Sequence, residues 1–268
     1  MEKTTATNGA KCFACEKCGE KFSEITAENN LFVCPNCGKI NAFPARKRIN
    51  FIADEGSFVE FYGGEFFFDP LDFPNYKEKI RVAKSKSNEN EAVICGKCKI
   101  GGTETCVFAM ESRFMMGSMG SAVGEKLAKL FEYAGNNNLS VVGFTVSGGA
   151  RMQEGIYSLM QMAKVSAAIG RHGEKGLFYL SCLTDPTLGG ATASFASLGD
   201  VIIAEPEAVV GFAGKRVVEQ MTNETVDDGF RRAERVKEEG FLDAVVKREE
   251  QKDFIARMLK FHERKRGK

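Results

Sequence analysis

Histidine is almost absent from this chain, with His172 and His262 the two examples in 268 residues. The first lies in Arg171-His172-Gly173-Glu174-Lys175 and the second in a charged tail, so both read as solvated surface residues and little room remains for an imidazole general base. Neither sign of charge dominates. With 37 Lys plus Arg against 36 Asp plus Glu, the formal charge is +1, so no overall field recruits nucleic acid or an anionic membrane, and any anion must be caught locally. No apolar run approaches the roughly 18 to 20 residues of a membrane span. The opening Met1-Glu2-Lys3-Thr4-Thr5-Ala6-Thr7-Asn8 carries no apolar signal-peptide core, and a cytoplasmic location is expected. Familiar phosphate and hydrolase motifs fail residue by residue. Gly211-Phe212-Ala213-Gly214-Lys215 would be a P-loop only with glycine at Val209, no G-x-G-x-x-G follows a strand, and Ser147 would need glycine at Thr145 to make a nucleophile elbow.

Cysteine, in contrast, is plentiful. Of nine in the chain, five crowd between Cys12 and Cys37. Cys15-Glu16-Lys17-Cys18 and Cys34-Pro35-Asn36-Cys37 are separated by fifteen residues, and each pair is followed at once by glycine, Gly19 or Gly38. Two-residue spacing lets both thiolates of a turn reach one tetrahedral ion, and two such turns on neighbouring hairpins are clamped by it. The pattern predicts a structural four-cysteine zinc ribbon over residues 10–45, one Zn2+ per chain, with Cys12 the spare. A closed four-thiolate site has no open position for catalysis. Arg46-Lys47-Arg48 just beyond it keeps a nucleic-acid contact open as a secondary role, although basic runs are more often solvated. Cys95-Gly96-Lys97-Cys98 has no second pair and reads as strand and turn, while Cys106 and Cys182 read as small buried residues.

The remainder, 46–268, reads as the main body. From about 45 to 92 the pattern is irregular, and Phe66-Phe67-Phe68-Asp69-Pro70 and Asp72-Phe73-Pro74 predict extended packing. Lys84 to Glu91 is an exposed loop or helix end. Regular alternation follows. Val123, Leu127, Leu130, Phe131 and Ala134 make a helical stripe, Val141 to Val146 a buried strand, and Ile156, Leu159, Met160 and Ala163 a second stripe. Further strands are expected at 177–183, 201–204 and 209–212, a short helix at 191–198, and a final amphipathic helix from Glu249 to Lys268. Met152, Met160 and Met162 are expected to fill the core. Alternating β and α elements imply an α/β fold with right-handed crossovers.

The chemistry is expected where the strand Val141–Val146 runs into Ser147-Gly148-Gly149-Ala150-Arg151-Met152-Gln153-Glu154. Glycine allows close backbone approach, and the amides that open a helix lack intrahelical partners. The predicted product is an oxyanion hole built from Gly148 and Gly149. Other glycine turns stand at Gly117-Ser118-Met119-Gly120, Gly189-Gly190 and Gly211-Phe212-Ala213-Gly214. A chain with few acid–base side chains and several such turns points to backbone amides that stabilise a developing negative charge.

These residues closely resemble those of the carboxyltransferase β subunits of bacterial acetyl-coenzyme A carboxylase. The resemblance covers nearly the whole chain and rests on the cysteine ribbon, Gly117-Ser118-Met119-Gly120-Ser121, Ser147 to Glu154, Ala204-Glu205-Pro206 and Gly211 to Gly214. It implies a crotonase-like spiral of ββα units and an α2β2 assembly with a separate α subunit. The implied reaction is carboxyl transfer from carboxybiotin to acetyl-CoA, making malonyl-CoA for fatty acid synthesis, with biotin carboxylase and the biotin carboxyl carrier protein as further partners. Gly117, Ser118, Met119, Gly120, Ala150, Arg151, Gly189 and Gly190 are then the candidate acetyl-CoA contacts, and Gly148 and Gly149 the enolate-stabilising pair. Leu188 stands where the family often has threonine, and Met116 where a second glycine is common. The rival readings are a different acyl-CoA enzyme of the same fold, such as a hydratase or decarboxylase, and a zinc-ribbon nucleic-acid-binding protein.

Overall fold

The computed structural model describes residues 12–64, 66–227 and 229–263. The polar residues 1–8 and the basic Arg264-Lys265-Arg266 lie outside that set. The chain divides into two compact units, Met1–Phe43 and Pro44–Lys268.

In the first unit, β1 (Cys12–Ala14) pairs antiparallel with β2 (Lys21–Ser23), and α1 (Glu24–Asn29) follows. Ser23 caps α1 by accepting from the Thr26 amide at 3.0 Å. The knuckle glycines Gly19 and Gly38 both have positive φ, 70° and 71°. That conformation disfavours any residue with a Cβ, and it turns the chain after each cysteine pair. Apolar filling is limited to a small aromatic group in which Phe32 meets Phe13 and Phe43 at ring separations of 5.6 and 5.2 Å.

The second unit is an eight-stranded sheet between two helical layers. Its elements are α2 (Ala45–Ile52), β3 (Val59–Phe61), α3 (Tyr76–Ser87), β4 (Val93–Ile100), β5 (Thr103–Met110), α4 (Ser121–Asn137), β6 (Ser140–Ser147) and α5 (Ile156–Glu174). There follow β7 (Tyr179–Leu188), α6 (Gly189–Thr192), β8 (Val201–Ala204), β9 (Val210–Gly211), α7 (Lys215–Thr222), α8 (Ala233–Glu238), β10 (Ala244–Val245) and α9 (Arg248–Phe261). The strands run in the order β10-β8-β7-β6-β5-β4-β3, with β9 pairing β7. From β5 through β10 all neighbours are parallel, while β3, β4 and β5 are antiparallel. The pleat sorts most of β6 in the expected way: Val141 enters the core with α3, α4 and α5, while Val142 and Phe144 enter the one with α2 and α9, and a register shift between Thr145 and Ser147 puts Val146 with Val141. Because β5, β6 and β7 are parallel, their C-terminal ends share one edge, where ligand sites of parallel sheets form. Among the described residues no helix is long and apolar enough to cross a membrane.

Several expectations need correction. The irregular region contains α2 and α3, which the aromatic and proline clusters around them obscure. In α2 the core positions Ala45, Ile49 and Ile52 are spaced as a helix requires, but the basic run interrupts the pattern. The predicted stripe on α5 faces outward: Ile156, Leu159 and Met160 are 60%, 51% and 58% exposed, and Met152 is 80% exposed. The buried face of α5 is Ser158, Val165, Ala168, Ile169 and His172. Met152 and Met160 are therefore not core residues. His172 is not on the surface either; it is buried, its ring edge-on to Phe131 and its Nε2 2.9 Å from the Leu139 carbonyl. Cys95 and Cys98 sit three apart on β4 and enter opposite cores, so the pleat keeps them from acting as a pair. Burial pushes the thiols of Cys95, Cys98 and Cys106 up to about 12, which leaves them unreactive.

Candidate functional site

The four cysteines Cys15, Cys18, Cys34 and Cys37 come together, with every Sγ within 4.8 Å of the others. Cys15–Cys37 and Cys18–Cys34 are both 3.7 Å apart at sulfur. Four thiolates about 2.3 Å from a tetrahedral ion stand roughly 3.8 Å from one another, so this spacing suits a metal and is far too long for disulfides. The thiols share their protons unequally. Against the desolvation of its setting, the amides of Cys18 and Lys17 and the neighbouring thiols bring Cys15 down to about 6. The Lys39 amide pulls Cys37 down, but burial and the neighbouring sulfurs outweigh it and hold that thiol at about 12. A dication would displace these protons and remove the inequality.

The basic run near the ribbon does not form a patch. Arg46 reaches Glu60 at 2.8 Å and Glu89 at 2.7 Å, and Arg48 is buried against Glu205 at 2.8 Å.

At the sheet edge, three chain segments meet. The 3-10 turn Met115–Gly117 follows β5, the segment Gly148–Arg151 follows β6, and Gly189-Gly190 follows β7. Met119 N–H donates to the Gly149 carbonyl at 2.9 Å and Arg151 N–H donates to Met119 at 2.8 Å, lacing the first two together. The glycine pairs of the other two face each other at van der Waals range. A Cβ built on Gly189 would lie 3.1 Å from the Gly149 Cα, and one on Gly190 would collide with Met162 Sδ at 2.3 Å. Gly149 and Gly189 also have φ of 111° and 65°, so the backbone favours glycine at both, while at Gly190 it is the lack of space that does.

In this geometry the amides of the expected oxyanion pair are engaged within the chain. Gly148 N–H is already bound to the Met116 carbonyl at 2.9 Å, and Gly149 N–H to Ser147 Oγ at 3.0 Å. Gly189 N–H is bound to Phe212 at 2.8 Å. Among the described residues, the amides of Ala150 and Gly190, on the same two turns, have no acceptor. The glycines permit the close approach, and their neighbours carry the unspent donors.

Arg151 is engaged within the chain. It is 1% exposed. Its Nη2 donates to Glu91 at 2.6 Å and to the Ser118 carbonyl at 2.9 Å, and its Nε donates to Ser118 Oγ at 3.1 Å. Beside it, Glu154 accepts from Tyr76 Oη at 2.7 Å and from the Ser121 amide at 2.6 Å. That carboxylate therefore serves the positive N-terminal end of α4, and is no base facing a substrate. Met119 is fully buried and Gly120 is closed in by Glu154 and Arg151. Of the turn Gly117–Gly120, Ser118 is the residue that lines the adjacent cleft of ≈ 980 Å³, together with Gly148 and Ala150. Met116, where a glycine was noted as common, holds the left-handed conformation at φ 56°. Glu91 and Tyr76 had no signal in the sequence, because Arg151 meets them across 60 and 75 residues.

Residues 41–263 match the model of the carboxyl transferase domain family. The chain is 54% identical over 248 residues to acetyl-coenzyme A carboxylase carboxyl transferase subunit beta 2 of Lachnospira eligens, covering 92% of this chain and 96% of that protein. It is 51% identical over 248 residues to the corresponding subunit beta of Ruminiclostridium cellulolyticum, covering 92% and 86%. Among solved structures, transcarboxylase 12S with bound methylmalonyl-coenzyme A has the same fold, with a TM-score of 0.70 at 24% identity over 82% of this chain and 42% of that one. The chain belongs to the carboxyl transferase family, among the β subunits of acetyl-coenzyme A carboxylase.

Proposed function

We propose, from that membership and from the unspent amides at the sheet edge, how this chain works as the carboxyltransferase β subunit of acetyl-CoA carboxylase, a biotin-dependent transferase component that makes malonyl-CoA. The single observation that carries the chemistry is the pair of apposed turns after β6 and β7, with Ala150 N–H and Gly190 N–H free to donate. Removing a proton from the methyl group of acetyl-CoA places negative charge on the thioester oxygen. Fixed backbone donors stabilise that charge without reorganising, each by roughly 3 to 4 kcal/mol of barrier. Gly148 and Gly149 act by shape, and Arg151 acts from beneath by holding Ser118 and the turn. Carboxybiotin, delivered on the carrier protein, would supply the carboxyl group, and the ureido nitrogen that loses it would take up the methyl proton, so that one C–H and one N–C bond are exchanged for one C–C and one N–H bond. The residues described at this site offer an acyl-thioester cleft, so the biotin half is assigned to the α subunit.

The architecture we assign is a crotonase-like spiral over 46–268 preceded by a zinc ribbon over 10–45, in a cytoplasmic α2β2 complex. Zinc is the metal that suits four thiolates at this spacing, and its role there is structural. The exposed apolar residues Met152, Ile156, Leu159 and Met160 border the site segment, and a continuous apolar surface of that kind calls for a protein partner. The pairing of Arg46 and Arg48 with carboxylates removes the main support for nucleic-acid binding.

The test is transfer from malonyl-CoA to a soluble biotin derivative, run in reverse with this chain alone and with its α subunit. Turnover restricted to the mixture is the expected result. Turnover by the chain alone would instead indicate a self-sufficient acyl-CoA enzyme.

A further inference from the structure

We propose that the face of α3 carrying Lys79 and Lys86 receives the phosphate groups of coenzyme A, an inference that rests on the acyl-CoA reading above. Asn75, Lys79, Val82 and Lys86 are spaced to share one side of the helix, flanking the buried row Tyr76, Ile80, Ala83 and Ser87. All four line the cleft of ≈ 980 Å³ that also reaches Gly148 and Ala150.

Lysines on an exposed helix are ordinarily just solvated, and charge pairing is what distinguishes these two. Every other ionised group lining the cleft is already matched. Arg113 is held by Glu111 at 2.8 and 2.9 Å, Arg151 by Glu91 at 2.6 Å, and Glu78 by Arg81 at 2.6 Å. Lys86 has no acceptor among the described residues, and Lys79 has only the face of Phe73, 5.6 Å from its ring centre. The cleft thus keeps two uncompensated cations at its α3 wall and unspent amides near the glycine turns. Seven residues of helix separate the lysines by roughly 10 Å, which suits two distinct phosphate positions better than one. Val82, Met115 and Met116 supply apolar lining, which suits the pantetheine arm. A CoA thioester satisfies this sequence of features: carbonyl at the amides, apolar arm along the methionines, phosphates at the lysines.

The experiment uses the complete α/β complex, measuring reverse transfer from malonyl-CoA and from malonyl-pantetheine, which lacks the nucleotide. In Lys79→Ala/Lys86→Ala, KM for malonyl-CoA is expected to rise roughly five- to tenfold, as the loss of two partly exposed ionic contacts to phosphate implies. The KM for malonyl-pantetheine should not move. Lys77→Ala, on the same helix away from the cleft, serves as the control. A rise shared equally by both thioesters, or by neither, overturns the proposal. If the wild-type complex turns over neither thioester, the carboxyl-transfer reading fails, and calorimetry with adenosine 3′,5′-bisphosphate still decides this one. Binding that the double variant loses sustains the lysine subsite; binding it retains, or no binding by the wild type, overturns it.

Discussion

The ribbon unit and the sheet unit are held together by different means. Within residues 12–43 the fully buried side chains are few, Cys15, Ala27, Phe32 and Cys34 among them, and the cysteines outnumber any apolar residue type at the centre. Pro44–Lys268 has two large apolar cores, one on each face of its sheet, and adds buried ionic networks. A unit of about 40 residues cannot remove enough apolar surface from water to offset its chain entropy, so a metal held by the four cysteines is the expected source of the difference. A body of over 200 residues has no such deficit. It can therefore bury charged groups that contribute specificity or position more than net stability.

The largest expected effect separates the two directly. A strong chelator should unfold the ribbon, because metal binding there supplies on the order of 10 kcal/mol of folding free energy. The helix signal of the sheet unit should remain, as followed by circular dichroism alongside metal release. Cooperative loss of both signals together would show that the contrast is mistaken.

Next comes Glu205, which accepts from Arg48 at 2.8 Å and from Arg248 at 2.7 and 2.8 Å. Glu205→Gln removes the buried carboxylate that two buried guanidinium groups share and should destabilise the sheet unit by roughly 3 to 5 kcal/mol, with metal content unchanged. Burial alone would raise the Glu205 pKa, but the two arginines lower it from 4.5 to about 2. Its stabilisation is thus complete above pH 4.5 and disappears as pH falls toward 2. Acid unfolding of the variant should lack that component.

Arg151→Lys tests a buried network that faces the site instead of the helices. Lysine retains the charge but cannot span Glu91 and Ser118 at once. We expect kcat to fall by roughly 10- to 100-fold through misplacement of the turn, with a smaller loss of thermal stability than for Glu205→Gln. Unchanged kcat would make the Arg151 network another purely structural one.

The smallest effect is at His172, whose Nδ1 is buried without a partner while Nε2 meets Leu139. Burial lowers its pKa from the usual 6.5, so the unfolded chain binds the proton more tightly. Stability should decline as pH falls below about 6.5, and denaturant titrations of His172→Phe should be flatter across that window.

Legibility followed the range of the interaction. The four-cysteine cluster was readable because Cys15 and Cys18, and Cys34 and Cys37, have a local spacing that tolerates few alternatives. The strand-to-turn sequence Val141–Gly149 was equally readable, since the pleat and the glycine pair are local properties. The facing of α5 was not. Its helical period predicts a stripe, but period alone does not say whether the stripe meets the sheet or a partner, and Ile156, Leu159 and Met160 point outward. His172 misled for a similar reason: polar neighbours in sequence gave no sign that its own helix face turns onto Phe131.

By itself, the order of residues determined the α/β fold class, the four-cysteine cluster and the positions of the glycine turns, since each follows from backbone period, covalent spacing or the absence of a Cβ. Which amides remain unspent was settled only by the tertiary structure. Met116 and Ser147 take the donors of Gly148 and Gly149, leaving Ala150 and Gly190, and Glu91 pairs with Arg151. A hydrogen-bond donor is available only if nothing else in the folded chain has reached it, and that depends on distances between segments, which no local pattern records.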